Sequence, residues 1–261
     1  NVTPDSFSDG GRFVAREAAL EHARRLIGEG ADMLDVGGES TRPGAEPVSE
    51  DEEIERVVPV IAAIRAESEI PISVDTMKPV VARAAVAAGA TIWNDVTALG
   101  FAAHSATAAA DLGCEVVLMH MQGEPRTMQA APRYDDVVAE VAAFLADRAQ
   151  AAIAAGVARE RIWLDPGIGF GKAAEHSLAL LANLGAITAL GFPVLLGASR
   201  KRFMRAVDPA AKDASDRLGG SLAAALIGAQ AGVAAVRVHD VRETVQALAL
   251  AAAIGQARRH D

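Results

Sequence analysis

Seven short runs rich in β-branched residues, at 31–36, 71–75, 91–95, 115–120, 161–165, 193–197 and 234–239, alternate with longer alanine-rich stretches of helical period. Strands separated by helix-length connections pair in parallel, so the chain reads as α/β with helices covering a parallel sheet. Helices are expected over 13–29, 50–67, 78–88, 103–112, 135–155, 175–190, 216–231 and 241–256. Gly30, Gly89, Gly113, Gly156, Gly191 and Gly232 follow such stretches and suit the left-handed position that ends a helix. The repeat count predicts a closed (β/α)8 TIM barrel, with its first strand expected to lie largely upstream of residue 1. An open doubly wound sheet competes, but it needs a glycine-rich dinucleotide loop, and no G-x-G-x-x-G opens a helix here.

Composition narrows the partners. The chain has 261 residues, with a hydrophobic share of 51% and a net charge of -9. One large core over 1–261, a single domain, accommodates that length, and no Pro/Ser-rich or low-complexity linker divides it. The acidic balance argues against nucleic acid, whose usual footprint is a basic stripe, and means that any polyanionic ligand needs cations gathered locally. A membrane span is not expected: the apolar stretches at 223–236 and 245–254 are broken by Gln230, Gln246 and glycines. Cys114 is the sole cysteine, which excludes an intramolecular disulfide and fits a reducing cytoplasm.

Nearly every strand run ends in a polar residue: Asp35, Asp75, Asn94 with Asp95, His120, Asp165, Ser199 just beyond its run, and His239. Each suits a helix cap or turn taken singly. In a barrel, however, these ends converge on the face where active sites lie. Arg237 and His239 are two apart on one strand and share a face, so an inward Arg237 needs either a buried acid or an anionic ligand, and the ligand is the reading preferred here. Gly197-Ala198-Ser199-Arg200-Lys201 adds cations beyond another strand, one of which also reads as a plain surface charge, and Ser40-Thr41-Arg42-Pro43-Gly44-Ala45 has the makings of an oxyanion-binding loop, or of a turn before a helix capped by Ser49. Asp165-Pro166-Gly167-Ile168-Gly169-Phe170-Gly171-Lys172 fails the Walker pattern, and instead brings backbone close to whatever Asp165 touches, with Phe170 as a flat wall. The opening loop 1–11 reads as a lid whose oxygens suit a hard cation such as Mg²⁺, whereas no paired Cys/His spacing suggests zinc.

Taken together, Asn1-Val2-Thr3-Pro4-Asp5-Ser6-Phe7-Ser8-Asp9-Gly10-Gly11, Asp35-Val36-Gly37-Gly38-Glu39-Ser40-Thr41-Arg42-Pro43-Gly44, Ser73-Val74-Asp75-Thr76, Asn94-Asp95-Val96, Leu118-Met119-His120-Met121-Gln122-Gly123 and the three later segments 165–172, 197–201 and 237–241 resemble the bacterial dihydropteroate synthase family in order and spacing. That resemblance implies a folate-pathway transferase that joins 6-hydroxymethyl-7,8-dihydropterin diphosphate to 4-aminobenzoate with release of pyrophosphate. It implies that Asp75, Asn94 and Asp165 grip the pterin, that Lys201 reaches its ring, and that Met119, Phe170 and Gly197 wall the pocket. Thr41, Arg42, Pro43, Arg237 and His239 would surround diphosphate and aminobenzoate, with Asp75, Lys201, Arg237 and His239 as the catalytic set. Asn1 would ligate Mg²⁺, with Asp9 contributing from the loop, and the enzyme would be a cytoplasmic homodimer. A methyltetrahydrofolate:corrinoid methyltransferase shares the pterin grip but has no diphosphate to neutralise, and a pterin-binding paralogue without turnover is the other alternative.

Overall fold

The computed structural model describes residues 1–2, 11–40, 46–123 and 127–257, residues 11–15 by their backbone. Helices and strands alternate: α1 (Gly11–Gly28), β1 (Leu34–Gly37), α2 (Glu50–Glu67), β2 (Ile72–Asp75), α3 (Pro79–Ala87), β3 (Ile92–Asp95), α4 (Ser105–Leu112), β4 (Glu115–Met119), α5 (Val137–Ala154), β5 (Ile162–Asp165), α6 (Ala174–Ala182), α7 (Gly185–Thr188), β6 (Leu195–Leu196), α8 (Leu218–Gln230), β7 (Ala235–Val236) and α9 (Val241–Ala257). Each expected strand run therefore holds a strand. The last two are shorter than expected, and the helix expected over 175–190 is two helices, broken where Asn183 leaves helical geometry and its amide Nδ2 donates to Ala179 O at 2.9 Å. All six glycines expected to end helices have positive φ.

The strands pair in parallel in the order β1-β2-β3-β4-β5, and β6 pairs with β7. A bridge between Leu164 and Val194 joins the two groups. Neighbours in space are thus neighbours in sequence, with none of the reversal that an open doubly wound sheet requires. The curl brings the far ends together: Arg237, just beyond β7, bonds side chains on β1 and β2. Beside β1, Val2 N–H donates to Gly37 O at 2.9 Å. This is the TIM-barrel arrangement, its seven described strands curled so that the end of β7 reaches β1 and β2.

Strand alternation divides every strand into two faces. Val36, Val74, Trp93, Val116, Leu118, Leu164 and Leu196 face outward and join Val57, Ile61 and Ile64 of α2 and Val141 and Leu145 of α5 in the main core. The inward residues near the floor, Met33, Ile92, Val117, Trp163, Leu195 and Ala235, form a second cluster inside the barrel. Burying each large aliphatic side chain contributes about 1.5–3 kcal/mol. Ser49, expected as a cap, accepts from Glu52 N–H at 3.2 Å, and Glu50 to Glu53 place negative charge on the first turn of α2.

Candidate active site

One step further along each strand, the same inward register delivers Asp35, Asp75, Asn94, Met119, Asp165, Gly197 and Arg237 to the C-terminal mouth of the barrel. Asp75 lies beside both Gly37 and Asn94, and Met119 beside Asp165. The sequence scatters these groups over two hundred positions, and closure assembles them into one ring.

Arg237 is the hinge of that ring. Its Nη1 donates to Asp35 Oδ2 at 2.6 Å and to Asp75 Oδ2 at 3.0 Å. Acid partners for Arg237 exist beside whatever anion it meets: they sit on β1 and β2, where neither strand spacing nor local composition reveals them. Among the described residues both contacts use Nη1 alone, which leaves Nε and Nη2 for an oxyanion. Asn94 Nδ2 donates to Asp35 Oδ1 at 3.5 Å, so Asp35 organises both the amide and the guanidinium. Asp35, one of the polar strand ends with no assigned role in the sequence, is thus a member of the ring. Its inward parity with Ser73 and Asp75 was the available signal.

Asp165 Oδ1 accepts from Gly167 N–H at 2.7 Å. Its Oδ2 and Arg237 Nε lie 3.8 and 3.7 Å from where a Cβ on Gly197 would stand, so Gly197 keeps the space between them open. Lys201 donates to Ile168 O, and its Nζ stands 4.4 Å from the centre of the Phe170 ring. Phe170 in turn packs with Val96, Met119 and Met128, flanked by Met77 and Met121. The methionines Met77, Met121 and Met128 extend the apolar wall, and their spacing carries no periodic signal because they come from two loops, after β2 and after β4.

Burial and neighbouring charge push these groups toward mid-range. Asp75 is raised to about 6 by burial and by the Asp35 charge, against the pull of Arg237. Asp165 is raised by burial, with Lys201 opposing. Lys201 is lowered to about 7, mainly by burial, with Asp165 opposing and Arg237 reinforcing. A carboxyl at about 6 and an amine at about 7 in one mouth, Asp75 and Lys201, are the kind of perturbed pair that gathers at functional sites.

Other expected site residues lie elsewhere. His120 has the opposite parity to Met119, points away from the mouth, and is buried with Nδ1 2.8 Å from Lys172 Nζ. Asp95 likewise faces outward from Asn94 and accepts from Thr97 N–H at 2.7 Å and Leu99 N–H at 2.9 Å, bracing a turn in which Ala98 and Leu99 have positive φ. Arg200 is the plain charge of its segment: its Nε donates to Asp240 Oδ2 at 2.9 Å. His239 meets Ser199 Oγ at 3.0 Å through Nδ1, at the edge of the mouth. Thr41, Arg42, Pro43 and Asp9 lie outside the described residues.

Asn1 is exposed, and its Oδ1 lies 3.6 Å from where a Cβ on Gly37 would stand, as Asp75 Cβ does at 3.5 Å. A hard amide oxygen is thus available beside Asp75 at the mouth, a donor that suits Mg²⁺ completing its shell with phosphate and water. Among the described residues no three His, Cys, Asp or Glu side chains gather as a metal cage.

Comparison with known proteins supplies the family. The family model described as "Pterin binding enzyme" matches residues 1–239. The dihydropteroate synthase of Escherichia coli K12 is 49% identical over 251 residues, covering 95% of this chain and 87% of that protein. The solved dihydropteroate synthase of Xanthomonas albilineans with 4-aminobenzoic acid superposes with a TM-score of 0.90 at 51% identity, covering 98% of this chain and 90% of that one. The same organism's enzyme in complex with 7,8-dihydropteroate superposes with a TM-score of 0.87 at 49% identity, covering 98% and 91%. This chain belongs to the dihydropteroate synthase family of pterin-binding enzymes.

Proposed function

We propose that the barrel mouth condenses 6-hydroxymethyl-7,8-dihydropterin diphosphate with 4-aminobenzoate to give 7,8-dihydropteroate and pyrophosphate. The observation that carries this reading is the ring itself: Asp75, Asn94 and Asp165, a hydrogen-bonding set for a flat amino-heterocycle with Lys201 beside the Phe170 wall, stand against Arg237, which suits a departing anion.

In this reading Asp75, Asn94 and Asp165 accept from and donate to the pterin edge, Phe170 and Met119 wall its face, and Lys201 leaves Ile168 O to meet the ring. The C–O bond at the exocyclic methylene breaks early, and the arylamine captures the pterin-stabilised cation. Ionised Asp75 favours that positive charge, while Arg237 stabilises the negative charge growing on the diphosphate. Such a donor contributes a few kcal/mol to the barrier, by analogy with single oxyanion-hole groups. His239 at the rim, with Thr41, Arg42 and Pro43, completes the diphosphate and aminobenzoate surroundings. Asn1 would hold Mg²⁺, with Asp9 from the same loop; the ion's role is to neutralise diphosphate oxygens.

A homodimer completes the proposal. Of α9 only Val241 and Thr244 are buried, while Leu250 and Ile254 are exposed, as is Ile227 on α8. Apolar faces of that kind pair in symmetric assemblies. No helix among the described residues is long and apolar enough to cross a membrane, and the buried thiol of Cys114 fits a cytoplasmic setting.

The test supplies both substrates and Mg²⁺ to the purified protein and follows dihydropteroate and pyrophosphate together. Equal yields of the two support the reaction. Pterin diphosphate that binds in calorimetry with no product formed would show a binding paralogue instead. Sedimentation of the same sample checks the dimer, and a mass of one chain at micromolar concentration overturns it.

A further inference from the structure

Four consecutive carbonyls of the glycine loop after β5 each accept a hydrogen bond from a side chain. Ile168 O accepts from Lys201, Gly169 O from Gln129, Phe170 O from Lys172 at 3.0 Å, and Gly171 O from Tyr134 Oη at 2.8 Å. No regular secondary structure supplies these bonds, and Gly167, Gly169 and Gly171 all have positive φ. The loop therefore owes its shape to donors brought from elsewhere in the fold.

Lys172 is the buried member of the set and serves no part of the chemistry above. Its Nζ also meets His120 Nδ1 at 2.8 Å and His120 O at 3.3 Å, which gives the ammonium one acceptor for each of its three protons. With Lys172 as the ammonium, which only donates, Nδ1 is the acceptor and the imidazole proton is assigned to Nε2. The imidazole is itself wedged, with its ring against Phe144 at 4.8 Å and 83°. Beneath the loop, Gly167 presses on the end of β4 so closely that a Cβ there would stand 1.9 Å from His120 O. The amine thus ties the loop to β4 at the residue that carries the pocket's aromatic wall.

We propose that Lys172 is a positioning residue for pterin recognition: by tying Phe170 O to His120 it fixes the height and tilt of the Phe170 ring over the mouth and, with it, the Ile168 carbonyl that holds Lys201. This rests on the reading of the mouth as the pterin site. Lys172 itself touches neither substrate.

The test measures calorimetric affinity for the pterin diphosphate, and separately for Mg²⁺-pyrophosphate, in the parent, Lys172→Met and Tyr134→Phe. Lys172→Met is expected to weaken the pterin ligand by about tenfold while leaving pyrophosphate within about twofold, since the loop bounds the ring pocket and a small misplacement of a binding group is costly. Tyr134→Phe keeps the ring packing against His176 and removes only the bond to Gly171 O, so it folds; it is expected to weaken the pterin by about threefold, the loss of one neutral hydrogen bond. A purely structural lysine would weaken both ligands in parallel or neither. Either result, or unchanged pterin affinity in Tyr134→Phe, overturns the assignment. Product formation by the parent is scored independently, so failure of the reaction and failure of this assignment are distinguishable.

Discussion

At Arg237 one guanidinium nitrogen serves two carboxylates, and its removal has two separable effects. Arg237→Met leaves Asp35 and Asp75 facing each other without a counter-charge, and takes away the donors for the leaving diphosphate. Turnover followed by pyrophosphate release should fall about 10²–10³-fold, the range for one lost transition-state donor. The second effect is on pH. Asp75 titrates at about 6 in the intact site, so kcat/KM should decline as pH drops through 6 and the carboxylate is protonated. Arg237 pulls that value down, so in Arg237→Met the acid limb should move to higher pH. A limb that stays in place would show that Asp75 is not the group being titrated. Asp35→Asn tests the same cluster from the other side: with the neighbouring negative charge gone, the limb should move to lower pH.

Between β1, α2 and α3, the elements are locked by a buried ion cluster at the foot of the mouth. Lys78 Nζ bonds Glu39 Oε2 and Glu53 Oε2, both at 2.7 Å, and Val48 O at 2.6 Å. Glu39 Oε1 accepts in turn from Val48 N–H at 3.2 Å, so the cluster fixes the chain on both sides of the segment 40–47. Glu53 is fully buried, and its Oε1 has no partner among the described residues. Removing the cation strands two carboxylates: Lys78→Met should cost about 3–5 kcal/mol of stability, read as a shift in the urea midpoint. Adding Glu53→Leu to that variant should recover part of the loss, because it removes the unpaired buried charge instead of leaving it. A double variant less stable than the single would contradict this account.

For the whole molecule, His120 sets one limb of the stability profile. Burial first, and then the Lys172 charge, lower its pKa from 6.5 to about 3. Between those values the unfolded chain takes up a proton that the folded chain refuses, so stability falls as pH drops through this window, by about 1.4 kcal/mol per pH unit. Asp75 and Asp95, raised to about 6 and about 7, act with opposite sign: the folded state binds their protons first, and stability rises as pH falls through that range. The His120 contribution is therefore isolated by comparison with His120→Gln. Between pH 6 and pH 4 the variant should lose less stability than the parent in urea titrations. Equal slopes would mean that the folded parent protonates His120 without difficulty.

The sequence by itself determined the strand runs, the glycines that end helices and the polar strand ends, because each is a local signal: β-branching, φ freedom and turn chemistry act within a few residues. It also carried the family motifs, and these named Asp75, Asn94, Asp165, Lys201 and Arg237, which closure does gather. Tertiary structure alone decided the partners. Arg237 finds Asp35 across 202 positions of sequence and Asp75 across 162, a pairing that depends on how far the sheet curls. Parity within each strand sent Asn94 and Met119 inward but Asp95 and His120 outward, and it made His120, a polar strand end in the sequence, the anchor of Lys172. Contacts of that range follow from register and closure, which no window of residues contains.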